Sequence, residues 1–197
     1  MALHALFRTL ASLLFLSTFL QLAQSTTTTD SLKAYKKFIK DQCNSTAYPI
    51  VCYKSLSPYA SKIKRNHITL TRLSINVALK EAKSAKSTLK KLSKGKLSDG
   101  ETSVIADCRE NIEDTLDLLQ QSVDGLAHLN GNSTADERFQ WDNIKTWVSG
   151  SITDESTCTD EFDEIQVRSS LQNKIKTTIY NVSSLISIAL AFVNTLF

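Results

Sequence analysis

Apolar residues recur every three or four positions through most of this chain, and helix breakers are rare. Only five glycines and two prolines occur in 197 residues, and both prolines, Pro49 and Pro58, lie near the start. Long breaker-free stretches with that period predict amphipathic helices and an all-α domain. The first long helix is expected from Asn66 to Leu92, with Leu73, Val77, Ala82, Ala85, Leu89 and Leu92 on its apolar face. It stops at Lys94-Gly95-Lys96, where cations and a glycine suit a helix end. A second opens at Ser98-Asp99-Gly100-Glu101, a capping-box pattern, and runs to Asn130-Gly131. Its core stripe reads Ile105, Cys108, Ile112, Leu116, Leu119, Val123 and Leu126. A third opens at Thr134-Ala135-Asp136-Glu137 and carries Trp141, Ile144, Val148 and Ile152. The fourth is expected from about Phe162 to the end, with Ile175, Ile179, Val182, Ile186, Ala189, Val193 and Leu196 aligned. Short connections between long helices make antiparallel neighbours, hence an up-and-down four-helix bundle. Ahead of it, Ser31 to Gln42 reads as a basic amphipathic piece.

Residues 1–25 stand apart from this pattern. A short, weakly basic stretch precedes an apolar run from Thr9 to Ala23, and Ala23-Gln24-Ser25 offers small residues at the positions a signal peptidase reads. The run is too short for a comfortable membrane span and polar residues follow it at once, so a cleaved signal peptide is expected. The remaining 172 residues make one domain, large enough to bury a real core. The apolar C-terminal segment raises the question of a cleaved lipid-anchor tail. Its polar residues Ser183, Ser184, Ser187 and Asn194 read as one helical face, which suits a packed helix, and no polar spacer precedes it.

A secreted chain gives meaning to its cysteines and sequons. Cys43, Cys52, Cys108 and Cys158 form an even set, which reads as two disulfides with three open connectivities. Pairing Cys43 with Cys52 across the Tyr48-Pro49 turn is the local choice, and it leaves Cys108 with Cys158, a bridge expected to pin the second helix to the start of the fourth. A zinc site is excluded because no histidine stands near a cysteine at ligand spacing. Asn44, Asn132 and Asn181 are glycosylation acceptors by motif, the last within a predicted helix.

Net charge conceals a split. Residues 31–96 carry 16 Lys or Arg against Asp41 and Glu81, a net of +14, whereas residues 97–164 hold 17 Asp or Glu against Arg109, Arg138 and Lys145, a net of −14. The simpler expectation is that consecutive antiparallel helices pair these charges across a shared edge. The sharper one is that the basic 31–96 segment holds acidic polysaccharide while the acidic part docks a basic partner.

Catalytic machinery is missing. His67 and His128 fall at helix ends, no serine lies in a Gly-x-Ser-x-Gly turn, no phosphate-cradling loop occurs, and oxidised cysteines supply no nucleophile. Carboxylates are plentiful, but a small bundle offers no obvious cleft for a sugar chain. The chain is therefore not expected to be an enzyme, nor to need a cofactor, a metal, a nucleic acid or a membrane.

Several segments resemble a known family. They are Phe38-Ile39-Lys40-Asp41-Gln42-Cys43-Asn44-Ser45-Thr46-Ala47-Tyr48-Pro49-Ile50-Val51-Cys52, Ser55-Leu56-Ser57-Pro58-Tyr59-Ala60, Asp107 to Leu119, and Thr146-Trp147-Val148-Ser149 with Thr153-Asp154-Glu155-Ser156-Thr157-Cys158. In order and in cysteine spacing they are similar to the plant invertase and pectin methylesterase inhibitors. The resemblance implies a four-helix bundle over 66–197, an N-terminal helical hairpin over 26–65 closed by the first bridge, and a second bridge from helix two to the start of helix four. It also implies the plant cell wall as the location. Invertase inhibitors of the family carry Pro-Lys-Phe in the third-helix region; Glu137 to Trp147 contains no proline, and Thr-Trp-Val-Ser is more typical of pectin methylesterase inhibitors. Because the chain ends with helix four, it reads as a stand-alone inhibitor; an invertase inhibitor, or a secreted pectin-binding or signalling bundle without inhibitory activity, are the alternatives.

Glu110, Asp114 and Asp117 fall at i, i+4 and i+7, on one face of the second helix away from its core stripe. Alone, such a stripe is more often a solvated face. The resemblance implies that these three, with Thr157 and Asp160, contact the esterase beside its pectin-binding cleft in a reversible 1:1 complex. Asp160-Glu161-Phe162 departs from the family's usual Asp-Gly-Phe at this point.

Overall fold

The structure is a computed structural model. It describes residues 29–129, 134–160, 162 and 165–196, apart from the side chain of Glu155. The leader expected over 1–25 and the sequon at Asn132 lie outside the described residues. Helix α1 covers 29–43, followed by α2 (Pro49–Leu56), a single 3-10 turn (Ser57–Tyr59) and α3 (Ala60–Ile63). The long helices are α4 (His67–Leu92), α5 (Asp99–Ala127), α6 (Ala135–Asp160) and α7 (Ser169–Val193). They pack α4 on α5, α5 on α6, α6 on α7 and α7 back on α4, an all-α up-and-down bundle. No strand occurs among the described residues.

Local chemistry starts and stops these helices. The Asn66 side chain accepts the Thr69 N–H at 2.7 Å to open α4. At α5, Glu101 N–H donates to Ser98 Oγ at 3.2 Å and Ser98 N–H donates to Glu101 Oε2 at 3.1 Å, a reciprocal capping box. The last turn of α5 has no basic residue of its own. Arg72 of α4 replaces it, donating from its guanidinium to the Leu126 carbonyl at 2.7 Å. Ser98→Ala is expected to cost about 1 kcal/mol, a melting shift of roughly 2–4 °C for a domain of this size, measured by thermal unfolding.

The N-terminal helices are tied to the bundle at several points. Cys43 and Cys52 are bonded across the α1–α2 turn, both buried, and Thr46 within that turn donates to the Cys43 carbonyl at 2.8 Å. Phe38 packs edge-on against His67 at 5.1 Å, and Tyr48 against Tyr180 of α7 at 5.9 Å. Lys64, at φ 54°, makes the corner between α3 and α4.

Three features differ from the sequence expectation. First, α6 runs through Cys158 to Asp160, so the Cys108–Cys158 bridge pins α5 to the last turn of α6, not to the start of α7. Second, α7 begins at Ser169 instead of near Phe162, because Arg168 is held in extended backbone by a contact from α5 described below. Third, the core stripes are rotated slightly. Val77, Leu92, Leu116 and Val123 are half-buried, while Leu70, Ile75, Val104, Thr115 and Ser122 are sealed inside. Each long helix buries a wide face against two neighbours, so its buried arc is broader than one stripe and takes in small polar residues whose hydroxyls find backbone carbonyls, Ser122 on its own helix at Leu118 and Thr115 across the seam on α6. Ser184 belongs to this set: it is buried and donates to the Asn181 carbonyl at 3.0 Å, off the polar face that Ser183 and Ser187 share. By length and composition α7 is apolar enough to cross a membrane, but half of its apolar window is buried within the bundle.

Candidate functional site

The α5–α6 pair is the most tightly locked part of the bundle. Gly125 lets the helices approach closely: a Cβ there would meet Ile144 at 3.1 Å and Trp147 at 3.3 Å. Thr115 of α5 donates to the Ser151 carbonyl of α6 at 3.3 Å, in the buried seam. The Cys108–Cys158 bridge lies a little further along, with both residues fully buried. The Thr-Trp-Val-Ser run serves this packing. Val148 is buried, Trp147 lies over Gly125, and Thr146 donates back to the Asp142 carbonyl at 2.9 Å.

On the solvent side of that seam stand Glu110, Asp114 and Asp117, all exposed. None of them forms an ion pair among the described residues, whereas Glu113, one step round the helix, pairs with Lys86 of α4 at 3.1 Å. Like charges at i and i+4 such as Glu110 and Asp114 cost an isolated helix roughly 0.2–0.5 kcal/mol, so this face is electrostatically unfavourable to the fold.

Sequence reasoning missed a fourth member, Asp154 of α6. It is half-buried, and burial first and the negative charge of Asp114 second push its carboxyl above the ordinary value of 3.8. One Asp154 carboxylate oxygen is buried without a hydrogen-bond partner. The signal was available: Asp154 lies three residues before Thr157, one helical turn away on the same flank. The sign of the pH effect follows from the raised value. The folded state carries a penalty once the pH exceeds the ordinary carboxyl value, growing through the raised value and absent below both. Asp154→Asn is therefore expected to raise the melting temperature at pH 7, with the gain fading as the pH falls to about 3.8. Paired melts across that range check it, and a gain that does not change with pH would contradict it.

Thr157 and Asp160 are exposed on the last turn of α6, and the Thr157 hydroxyl donates to the Thr153 carbonyl at 3.1 Å. Asp160 opens onto the groove between α6 and α7 with Lys176 and Tyr180, away from the α5 carboxylates. Thus Glu110, Asp114, Asp117 and Asp154 share one face, Thr157 borders it, and Asp160 looks onto the next. Asn44 is exposed in the α1–α2 turn and Asn181 is exposed on α7. No metal-ligand cluster occurs among the described residues.

The same end of the bundle carries a clasp. Arg168, just before α7, gives its backbone N–H at 3.1 Å and its guanidinium at 2.7 Å to Glu101 Oε1, and donates to the Lys96 carbonyl at 3.0 Å. The Ser98 N–H holds the Glu101 carboxyl below its ordinary value; burial opposes this and the Arg168 bonds reinforce it. The clasp ties the residue ahead of α7 to the first turn of α5 and to the α4–α5 connection.

A family model described as plant invertase/pectin methylesterase inhibitor matches residues 37–192. The "21 kDa protein" of Daucus carota is 36% identical over 159 residues, covering 80% of this chain and 82% of its own. Pectinesterase inhibitor 9 of Arabidopsis thaliana is 36% identical over 176 residues, covering 87% of this chain and 86% of its own. The crystal structure of mutant form A of a pectin methylesterase inhibitor from Arabidopsis has the same fold, with a TM-score of 0.59 at 21% identity, covering 78% of this chain and 93% of that one. The helical bundle, its two bridges and the carboxylate face therefore sit in a chain that belongs to the plant invertase/pectin methylesterase inhibitor family.

Proposed function

We propose that this protein inhibits pectin methylesterase by docking the carboxylate face of α5 and α6 over the enzyme's pectin-binding cleft. The observation that carries this reading is the face itself: Glu110, Asp114 and Asp117 exposed and, among the described residues, without ion pairs on the disulfide-linked α5–α6 pair, with Asp154 held close to Asp114 against its own electrostatic preference. Such a cluster disfavours the isolated fold and finds its partner charges in a second molecule. A cleft that accepts a galacturonan chain presents groups complementary to regularly spaced carboxylates, so side chains at i, i+4 and i+7 fit where uronates bind. The protein acts on an enzyme and is not one.

The invertase reading is disfavoured. The segment Glu137 to Trp147 lacks Pro-Lys-Phe, and the relatives described above that are named for a target are named for pectinesterase or pectin methylesterase. Two buried disulfides suit an oxidising compartment, consistent with the cell wall where the substrate of such an esterase lies. Mixing the oxidised protein with a purified plant pectin methylesterase at low salt and separating by size tests the docking. A 1:1 complex that dissociates as salt rises is expected; separate elution at micromolar concentrations of both would reject it.

A further inference from the structure

The +14 and −14 halves of the sequence do not neutralise each other in the fold. Among the described residues a single ion pair, Lys86–Glu113 at 3.1 Å, joins basic α4 to acidic α5. Lys80, Lys83, Lys90 and Lys91 are exposed on the side of α4 opposite buried Ala78, Ala82, Ala85 and Leu89. None of the four forms an ion pair among the described residues. Exposed Ser84 and Ser87 lie between them, and exposed Lys94 and Lys96 continue the line past the helix end. The one carboxylate of α4, Glu81, turns instead to the groove against α7, with Asn181 and Ser184. The macrodipole accounts for cations in the last turn, Lys90 and Lys91, but not for Lys80 and Lys83, about three and two turns earlier.

The shape of this face limits what it can bind. From Lys80 to Lys91 it runs about 16 Å at the helical rise, the outward face of a single helix, with ammonium groups spread along it. It suits a linear polyanion read by charge spacing, because lysine is a point charge that needs no fixed partner geometry. We propose that the lysine face of α4 binds de-esterified stretches of pectin, the polyuronate product of the esterase, and not the neutral methyl-esterified polymer. This rests on the inhibitor reading for the choice of polyanion. It adds a function that reading lacks: the inhibitor is retained where the enzyme has already acted, on a helix next to the face that docks the enzyme.

The test uses the oxidised protein, immobilised polygalacturonate and a highly methyl-esterified pectin. The protein is expected to be held on polygalacturonate at roughly 0.01 M salt, where the Debye length is about 30 Å, and released towards roughly 0.15 M, where it is about 8 Å. It should pass through the esterified column. Lys80→Gln, Lys83→Gln, Lys90→Gln and Lys91→Gln together, which preserve helix propensity, should weaken retention by at least about tenfold while leaving esterase inhibition unchanged. Asp114→Lys with Asp117→Lys should do the reverse, losing inhibition but keeping retention, so failure of either reading is visible separately. No retention at low salt, equal retention on the esterified polymer, or undiminished retention of the four-lysine variant would overturn the proposal.

Discussion

Removing the Cys108–Cys158 bridge, with alanine at both positions, is expected to lower stability by about 4 kcal/mol, a melting shift of roughly 8–16 °C. The bridge closes a loop of 50 residues, and in the chain-entropy model the unfolded state regains that loop's freedom when it is cut. The Cys43–Cys52 bridge spans only 9 positions, so its loss is expected to cost less, roughly 2.5 kcal/mol. Location adds to the difference. All four cysteines are buried, but Cys158 anchors the last turn of α6, on which Thr157 and Asp160 stand. Freeing that turn should therefore weaken inhibition as well as stability. Calorimetry of the two double variants decides it: equal shifts, or a larger one for Cys43–Cys52, would mean that loop length does not govern the effect.

Asp114→Lys with Asp117→Lys is expected to reduce inhibition by on the order of 100-fold, equivalent to ~2.7 kcal/mol of binding. The same change should slightly stabilise the free protein. Glu110 with a lysine at 114, and Glu113 with one at 117, become i, i+4 pairs in the favourable orientation, at roughly 0.2–0.5 kcal/mol each. The charge at 114 that raises the Asp154 carboxyl also disappears. A variant that loses inhibition while gaining melting temperature separates a docking face from a structural one. If stability and inhibition fell together, these carboxylates would be holding the fold and not meeting an enzyme.

Much of this architecture is legible in sequence because its causes are local. The 3.6-residue period marks the four long helices, and Ser98 with Glu101 announces the start of α5. Spacing alone puts Glu110, Asp114 and Asp117 on one face. What sequence could not supply are contacts between positions far apart. Arg168 meets Glu101 across 67 residues, and that bond, not any cap, sets where α7 begins. Asp154 joins the carboxylate face only because Gly125, Thr115 and the Cys108–Cys158 bridge bring α6 against α5 in one register. Opposite charges on consecutive helices suggested mutual pairing, yet whether two side chains meet depends on helix rotation about the shared seam, and here only Lys86 and Glu113 do so among the described residues.

Titrating the purified, oxidised protein against a plant pectin methylesterase and a cell-wall invertase, side by side at the mildly acidic pH of the wall, puts the inhibitor reading at greatest risk. Esterase activity should fall to a plateau reached at one inhibitor per enzyme, with invertase untouched. Inhibition of invertase with the esterase unaffected, or of neither enzyme, would contradict it.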